Sequence, residues 1–155
     1  TNFELSARFP KWSPEKILEK TGINSRNIAD ESETIIDLAV SAAEKIFLDK
    51  NLDIKKIDID TLILITQTPP NLIPSSACKI HQKLGLNIDC ATFDINQGCA
   101  GYIYGLQVAS SIIDSKNSKK IIFLRIFKNP CFWGLDKDFR AFIIAKRMKI
   151  SARSQ

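Results

Sequence analysis

The stretch ATFDINQGCAGYIYGLQVASSII, residues 91–113, changes its hydrophobic rhythm at its middle. Up to Ile95, apolar residues alternate with polar ones, the period of a strand. From Gly98 to about Asp114 the spacing is that of a helix. This helix is apolar nearly all round, which predicts burial on several sides. The switch from strand to helix falls on Asn96–Gly101, and in its centre stands Cys99, flanked by Gly98 and Gly101. A cysteine at the start of a helix has backbone N–H groups and the positive end of the helix dipole beside it. Both favour the thiolate over the thiol. The two glycines allow a tight turn and close approach of another backbone or a substrate. Cys99 is therefore either a nucleophile on a strand-to-helix elbow or a small thiol packed where strand meets helix.

Outward from this junction, similar units recur. The β-branched run DTLILIT, residues 60–66, predicts a buried strand, and the break QTPPNLIP follows it. SSACKIHQKLG returns to helical spacing at Ala77, Ile80 and Leu84, with Gly85 as its C-cap. KKIIFLRIF, residues 119–127, predicts a third strand. Toward the N-terminus, Ser13 and Pro14 mark the start of a short helix over 13–20, and apolar residues from 35 to 47 mark one face of a helix over 34–50. Strand, helix, strand, helix, strand predicts an α/β fold with a parallel sheet and right-handed crossovers. In such a sheet, functional groups collect beyond the carboxyl ends of the strands, where Cys99 stands.

Composition narrows the class. The 155 residues are 45% hydrophobic and 25% charged, enough to build one globular core. The start, TNFELSARFPKW, has neither a basic nor an apolar signal region, and no run reaches the roughly 18 apolar residues of a membrane span, so a soluble, cytoplasmic protein is expected. Cys78, Cys90, Cys99 and Cys131 form no CxxC pair, and His81, the single histidine, has no metal-ligand spacing to them; no metal is expected. Cys78, Cys90 and Cys131 are expected to be buried free thiols. The net charge of +5 is local: residues 128–155 hold seven of the 22 basic residues and two of the 17 acidic ones, leaving the remainder neutral. A neutral body with a basic end is not the continuous basic face of a nucleic-acid binder.

Three segments, KTGINSRNIADESETIIDLAVSAAEKIF (20–47), LILITQTPPNLIPSSACKIHQKLGL (62–86) and ATFDINQGCAGYIYGLQVASSII (91–113), together resemble the N-terminal half of β-ketoacyl-acyl-carrier-protein synthase III, of the thiolase superfamily. The resemblance implies a thiolase-like fold, a parallel-rich sheet flanked by helices, over residues 1–124. It implies an acyltransferase of fatty acid or related acyl-chain biosynthesis, whose acyl-accepting cysteine is Cys99. An acyl-coenzyme A or acyl-carrier-protein thioester would be the substrate, with no permanently bound cofactor. Acyl carrier protein and a second copy or a second-half chain would be the partners, with neither nucleic acid nor membrane among them. Thr21, Gly22 and Arg26 match a family motif near the cofactor entrance. Ile73 matches a residue that reaches into a partner subunit's acyl pocket, or it is a loop residue buried in its own subunit. Lys16 and Lys20 stand where the family has a tryptophan and an arginine flanking adenine, which weakens the case for a coenzyme A primer. Gln97 replaces a small residue of the housekeeping members. The histidine and asparagine that the family uses against the developing oxyanion are absent, and His81 is read as a packed or solvent-facing helical residue.

After residue 124 the resemblance stops where the charge balance breaks. Residues 125–155 are expected to be a divergent basic tail from a truncated or frameshifted gene, or else a basic amphipathic helix over about 136–149. Three function classes result: a condensing enzyme or part of one, inactive alone; a non-catalytic half that pairs with a like or second-half chain; and an α/β binding module with a redox-sensing thiol.

Overall fold

The computed structural model describes residues 1–25, 29–30, 32–128 and 137–145. Two helices, α1 (Asn2–Arg8) and α2 (Pro14–Thr21), pack on each other, and a long helix, α3 (Ile35–Leu48), precedes the first strand. Then follow β1 (Thr61–Thr66), α4 (Ser76–Leu84), β2 (Ala91–Ile95), α5 (Gly101–Asp114), β3 (Lys120–Lys128) and β4 (Lys137–Ala145). Two of the helices begin where local chemistry says they should. Ser13 accepts from the Lys16 amide at the start of α2, and Thr34 from the Asp37 amide at the start of α3. The sequence did not announce α1.

The sheet order is β2-β1-β3-β4. β1 pairs in parallel with β2 from Thr61↔Ala91 and with β3 from Thr61↔Ile121, while β4 runs antiparallel to β3. All six residues of β1 are buried, as the central position of an apolar strand demands. Alternation along the strands then divides the core in two. Leu62, Leu64, Ile122, Leu124 and Ile126 face one way and meet α3 and α4 through Leu38, Ala39, Ala77, Ile80 and Leu84. Ile63, Ile65, Ile121 and Phe123 face the other way and meet α5 through Ala109 and Ile113. The connection through α4 moves outward from β1 on one face. The connection through α5 moves back past β1 on the opposite face. Reversing direction and face together keeps one hand, so both crossovers obey the same chirality.

Three expectations need correction. The tail contains the strand β4, so its residues 137–145 are not a helix; the backbone groups of β3 pair with this segment over nine residues. The α5 helix is not buried on several sides. Gly101, Gly105, Ala109 and Ile113 form a single buried stripe at i, i+4 spacing, while Ile103 and Tyr104 are exposed. Cys78 is not buried: it lies at the exposed side of the first turn of α4, against Thr92 of the edge strand β2. Cys90 is buried as expected, and Cys131 and Arg26 lie outside the described residues. No helix among the described residues is long and apolar enough to cross a membrane.

Candidate functional site at the strand ends

β1 and β2 are neighbours whose outgoing connections leave on opposite faces of the sheet. At the carboxyl ends of such a pair the two chains part and leave a crevice, the place where open α/β sheets gather their functional groups. The β2 chain leaves through Asn96 and Gln97 into a short 3-10 turn, Gly98–Ala100, which runs straight into α5. Cys99 is the middle residue of that turn. The amide of Gly101 donates to the Gln97 carbonyl at 3.2 Å, closing the turn on itself. Gly98 has φ +55, a left-handed conformation that side-chain-bearing residues adopt at a cost.

The glycines after Cys99 set the depth of the helix on the sheet. A Cβ on Gly101 would lie 2.7 Å from Ile65 Cγ2, and one on Gly105 would lie 2.6 Å from the Phe123 ring and 2.8 Å from Ile65 Cδ1. No side chain fits at either position without movement, so α5 rests directly on β1 and β3 and carries the turn down with it. Tyr102 meets Phe123 edge to face, with centroids 5.9 Å apart, and the Arg125 guanidinium lies 5.9 Å over the Tyr102 ring. Arg125 and Ile65 are register partners, which puts a cation at the strand ends on the α5 face.

On the opposite face, Asp94 anchors the neighbouring helix. Its carboxylate accepts from the Ser76 amide at 2.9 Å and from the Ala77 amide at 2.8 Å, two of the unpaired donors that open α4. An anion already fills that helix end. Nearby, Ser75 donates to the Cys78 sulfur at 3.3 Å and Thr92 lies 3.4 Å away; these hydrogen bonds hold the Cys78 thiol pKa below its usual value. Burial, then the Asp60 charge, pushes the Cys90 thiol up to about 11, making it inert.

The other sequence-derived candidates are dispersed. Ile73 lies in the connection from β1 to α4, which leaves from the same end of the sheet as the Cys99 turn, and it is 91% exposed, so it is not buried in its own subunit. Thr21 ends α2. Its hydroxyl donates to the Ile17 carbonyl at 2.7 Å and accepts from the Ile23 amide at 3.2 Å, so it closes the helix. Lys16 lies 5.0 Å over the Trp12 ring. His81 Nε2 is 2.7 Å from the Asn87 carbonyl, on the loop before β2, a local structural contact. Among the described residues, no group of three His, Cys, Asp or Glu side chains could hold a metal ion.

Sequence reasoning passed over three residues here. Gly105 carried a signal, its four-residue spacing from Gly101 on a helix. Asp94 carried none, because its partners are amides 17 and 18 residues away. Gln67, just past β1, carried none either; its carboxamide lies against Gly98.

Known proteins share this sequence pattern and this fold over part of their length. The family model for 3-oxoacyl-[acyl-carrier-protein] synthase III matches residues 93–125, from β2 through the Cys99 turn to the middle of β3. The β-ketoacyl-[acyl-carrier-protein] synthase III of Rickettsia bellii is 40% identical over 124 residues, 80% of this chain and 38% of that protein. A crystal structure of a 3-oxoacyl-(acyl-carrier-protein) synthase III superposes with TM-score 0.81 at 33% identity, over 96% of this chain and 47% of the other. The corresponding enzyme of Aquifex aeolicus superposes with TM-score 0.68 at 35% identity, over 76% of this chain and 37% of its own. The chain spans about two fifths of the length of the curated relatives it matches. In sequence and in backbone alike, this chain is a homologue of the N-terminal portion of β-ketoacyl-[acyl-carrier-protein] synthase III.

Proposed function

We propose that Cys99 is the acyl-accepting nucleophile of a β-ketoacyl-acyl-carrier-protein synthase III-type condensation. The observation that carries this is the position of the Cys99 turn. It stands beyond the end of β2, in the crevice beside β1, at the opening of a fourteen-residue helix, within the segment matched to the family. Backbone amides that open such a helix favour negative charge, so they support a thiolate in the ground state.

In the reaction, the Cys99 sulfur attacks the carbonyl carbon of an acyl thioester; a carbon–sulfur bond to the protein forms and the donor thiolate leaves. A malonyl thioester on acyl carrier protein then loses carbon dioxide. The resulting carbanion attacks the acyl carbonyl, a carbon–carbon bond forms, and Cys99 thiolate is released. The acyl donor is a coenzyme A or carrier-protein thioester, and no bound cofactor takes part. Acyl carrier protein and a like or second-half chain are the partners, in the cytoplasm. Ile73, exposed on the loop that leaves β1, suits a residue that enters a neighbouring subunit's acyl site. Thr21 and Arg26 remain candidates for the substrate entrance.

Decarboxylation needs donors aimed at the developing oxyanion, and the family's histidine and asparagine are not in these residues. The 155-residue chain by itself is therefore expected to take up an acyl group without turning over. A second reading, a non-catalytic half that pairs with another chain, is favoured by the exposed Ile103 and Tyr104 on α5. The deciding experiment treats the purified protein with a radiolabelled short-chain acyl thioester and maps the label by peptide mass. Label on Cys99, absent in Cys99→Ala and absent from Cys78, supports the nucleophile. Label on Cys78 alone, or none with the second-half chain present, rejects it.

A further inference from the structure

Gln67 is the first residue after β1, and its side chain reaches the segment that carries Cys99. A Cβ placed on Gly98 would meet Gln67 Cδ at 3.5 Å and its Nε2 and Oε1 at 3.6 Å. The carboxamide thus covers, at van der Waals distance, the face of Gly98 that a side chain would otherwise fill. Gly98 has a backbone conformation that glycine adopts readily, so the turn into Cys99 is shaped by a residue with no side chain and backed by one from the segment that follows β1. Gln67 itself is exposed, and its carboxamide has no hydrogen-bond partner among the described residues. Among the described residues, its donors and acceptor are not consumed.

We infer that Gln67 is a positioning residue for the chemistry at Cys99: it backs the Gly98–Cys99 turn and places an uncharged dipole beside it. The inference rests on the nucleophile reading above. Neutrality is the physical point. A carboxylate of the same shape would bring a negative charge against the turn that carries Cys99 and oppose its ionisation; a carboxamide does not. Among the described side chains, the other charged and titratable groups on elements packed around the turn are Arg125, over Tyr102 on the α5 face, the phenols of Tyr102 and Tyr104 on α5, and Asp94. Asp94 is committed to the α4 amides on the far face, so none of these occupies the place of Gln67.

The test is the pH dependence of iodoacetamide alkylation at each cysteine of the full chain, read by peptide mass. It compares the natural protein with Gln67→Glu and the neutral, similarly long Gln67→Met. Only the thiolate reacts, so the midpoint reports ionisation site by site. Gln67→Glu is expected to raise the Cys99 midpoint by about one unit and slow its reaction near neutral pH about tenfold. Gln67→Met is expected to slow it about threefold. Cys78, on the other face, should keep its rate in both. A Cys99 profile identical to the natural protein in both variants overturns the inference. If Gln67→Glu loosens the fold, buried Cys90 becomes reactive, and Gln67→Met alone decides. Acyl transfer from a thioester is measured separately on the natural protein. Its failure would sink the condensation reading while leaving a shifted Cys99 midpoint standing, and an unshifted midpoint with normal acyl transfer would sink only the role of Gln67.

Discussion

The two faces of the sheet share the same strands and differ in what covers them. On one, α3 and α4 close over Leu62, Leu64, Ile122 and Leu124, α4 is anchored by Asp94, and Lys83 of α4 pairs with Asp37 of α3 at 2.7 Å. On the other, α5 alone lies over Ile63, Ile65 and Phe123, pressed down by its glycines, with Ile103 and Tyr104 turned to the outside. The first face is finished; the second carries the Cys99 turn and a partly apolar outer surface. The larger buried cluster lies on one side of the sheet, and the candidate chemistry on the other.

The largest expected effect breaks the finished face. Leu64 is fully buried, and Leu64→Ala should cost about 2–5 kcal/mol in urea unfolding through lost transfer energy and the cavity left behind. A cost under about 1 kcal/mol would mean that this face does not bear the stability assigned to it. Next comes the open face. Gly105→Ala must push Phe123 and Ile65 aside, at about 1–3 kcal/mol. Because α5 would then ride higher, alkylation of Cys99 should change while that of Cys78 stays constant; equal changes at both would erase the distinction between the faces. Third, Asp94→Ala leaves the Ser76 and Ala77 amides without their carboxylate and should cost about 1–2 kcal/mol, read as an earlier urea midpoint with an unchanged slope.

The smallest effect is electrostatic. Hydrogen bonds from Lys83 and then Thr34 hold the Asp37 carboxyl at about 2, below its ordinary 3.8. A depressed pKa in the folded state means that the stabilisation is complete above the unfolded value near 4. It is lost as pH falls from there through about 2. Asp37 is 42% exposed, so solvent screening leaves under about 1 kcal/mol. Asp37→Asn should flatten stability between pH 4 and 2; an unaltered slope would remove the α3–α4 pair from the account of the finished face.

What could be read in advance followed the same division. TLILIT announces a buried strand because every residue is apolar or β-branched and nothing competes, and the alternation of Ala91–Ile95 announces a strand. The switch from strand to helix located the Cys99 turn. What escaped depends on partners distant in sequence. The KDFRAFIIA run of β4 is short and mixed, and pairing with β3 decides for strand where periodicity alone suits helix or strand. The outer side of α5 reads as buried because its composition is apolar, and composition does not say whether the covering layer belongs to these residues. Gln67 could not be found from its neighbours, since its role depends on Gly98, thirty-one positions later.

The place of β1 in the middle of the sheet also governs how the polypeptide must be made. Its neighbours arrive late: Thr61 pairs with Ala91 and with Ile121, so one edge waits thirty residues for its partner and the other sixty. At a synthesis rate of about 5–20 residues per second, the second edge stays bare for roughly 3–12 s. For that interval a nascent chain presents TLILIT, a charge-free run prone to cross-pairing, to whatever else is leaving the ribosome. A chaperone that holds the emerging segment until Ile126 has been added would guard the step at which this fold is most exposed to misassembly.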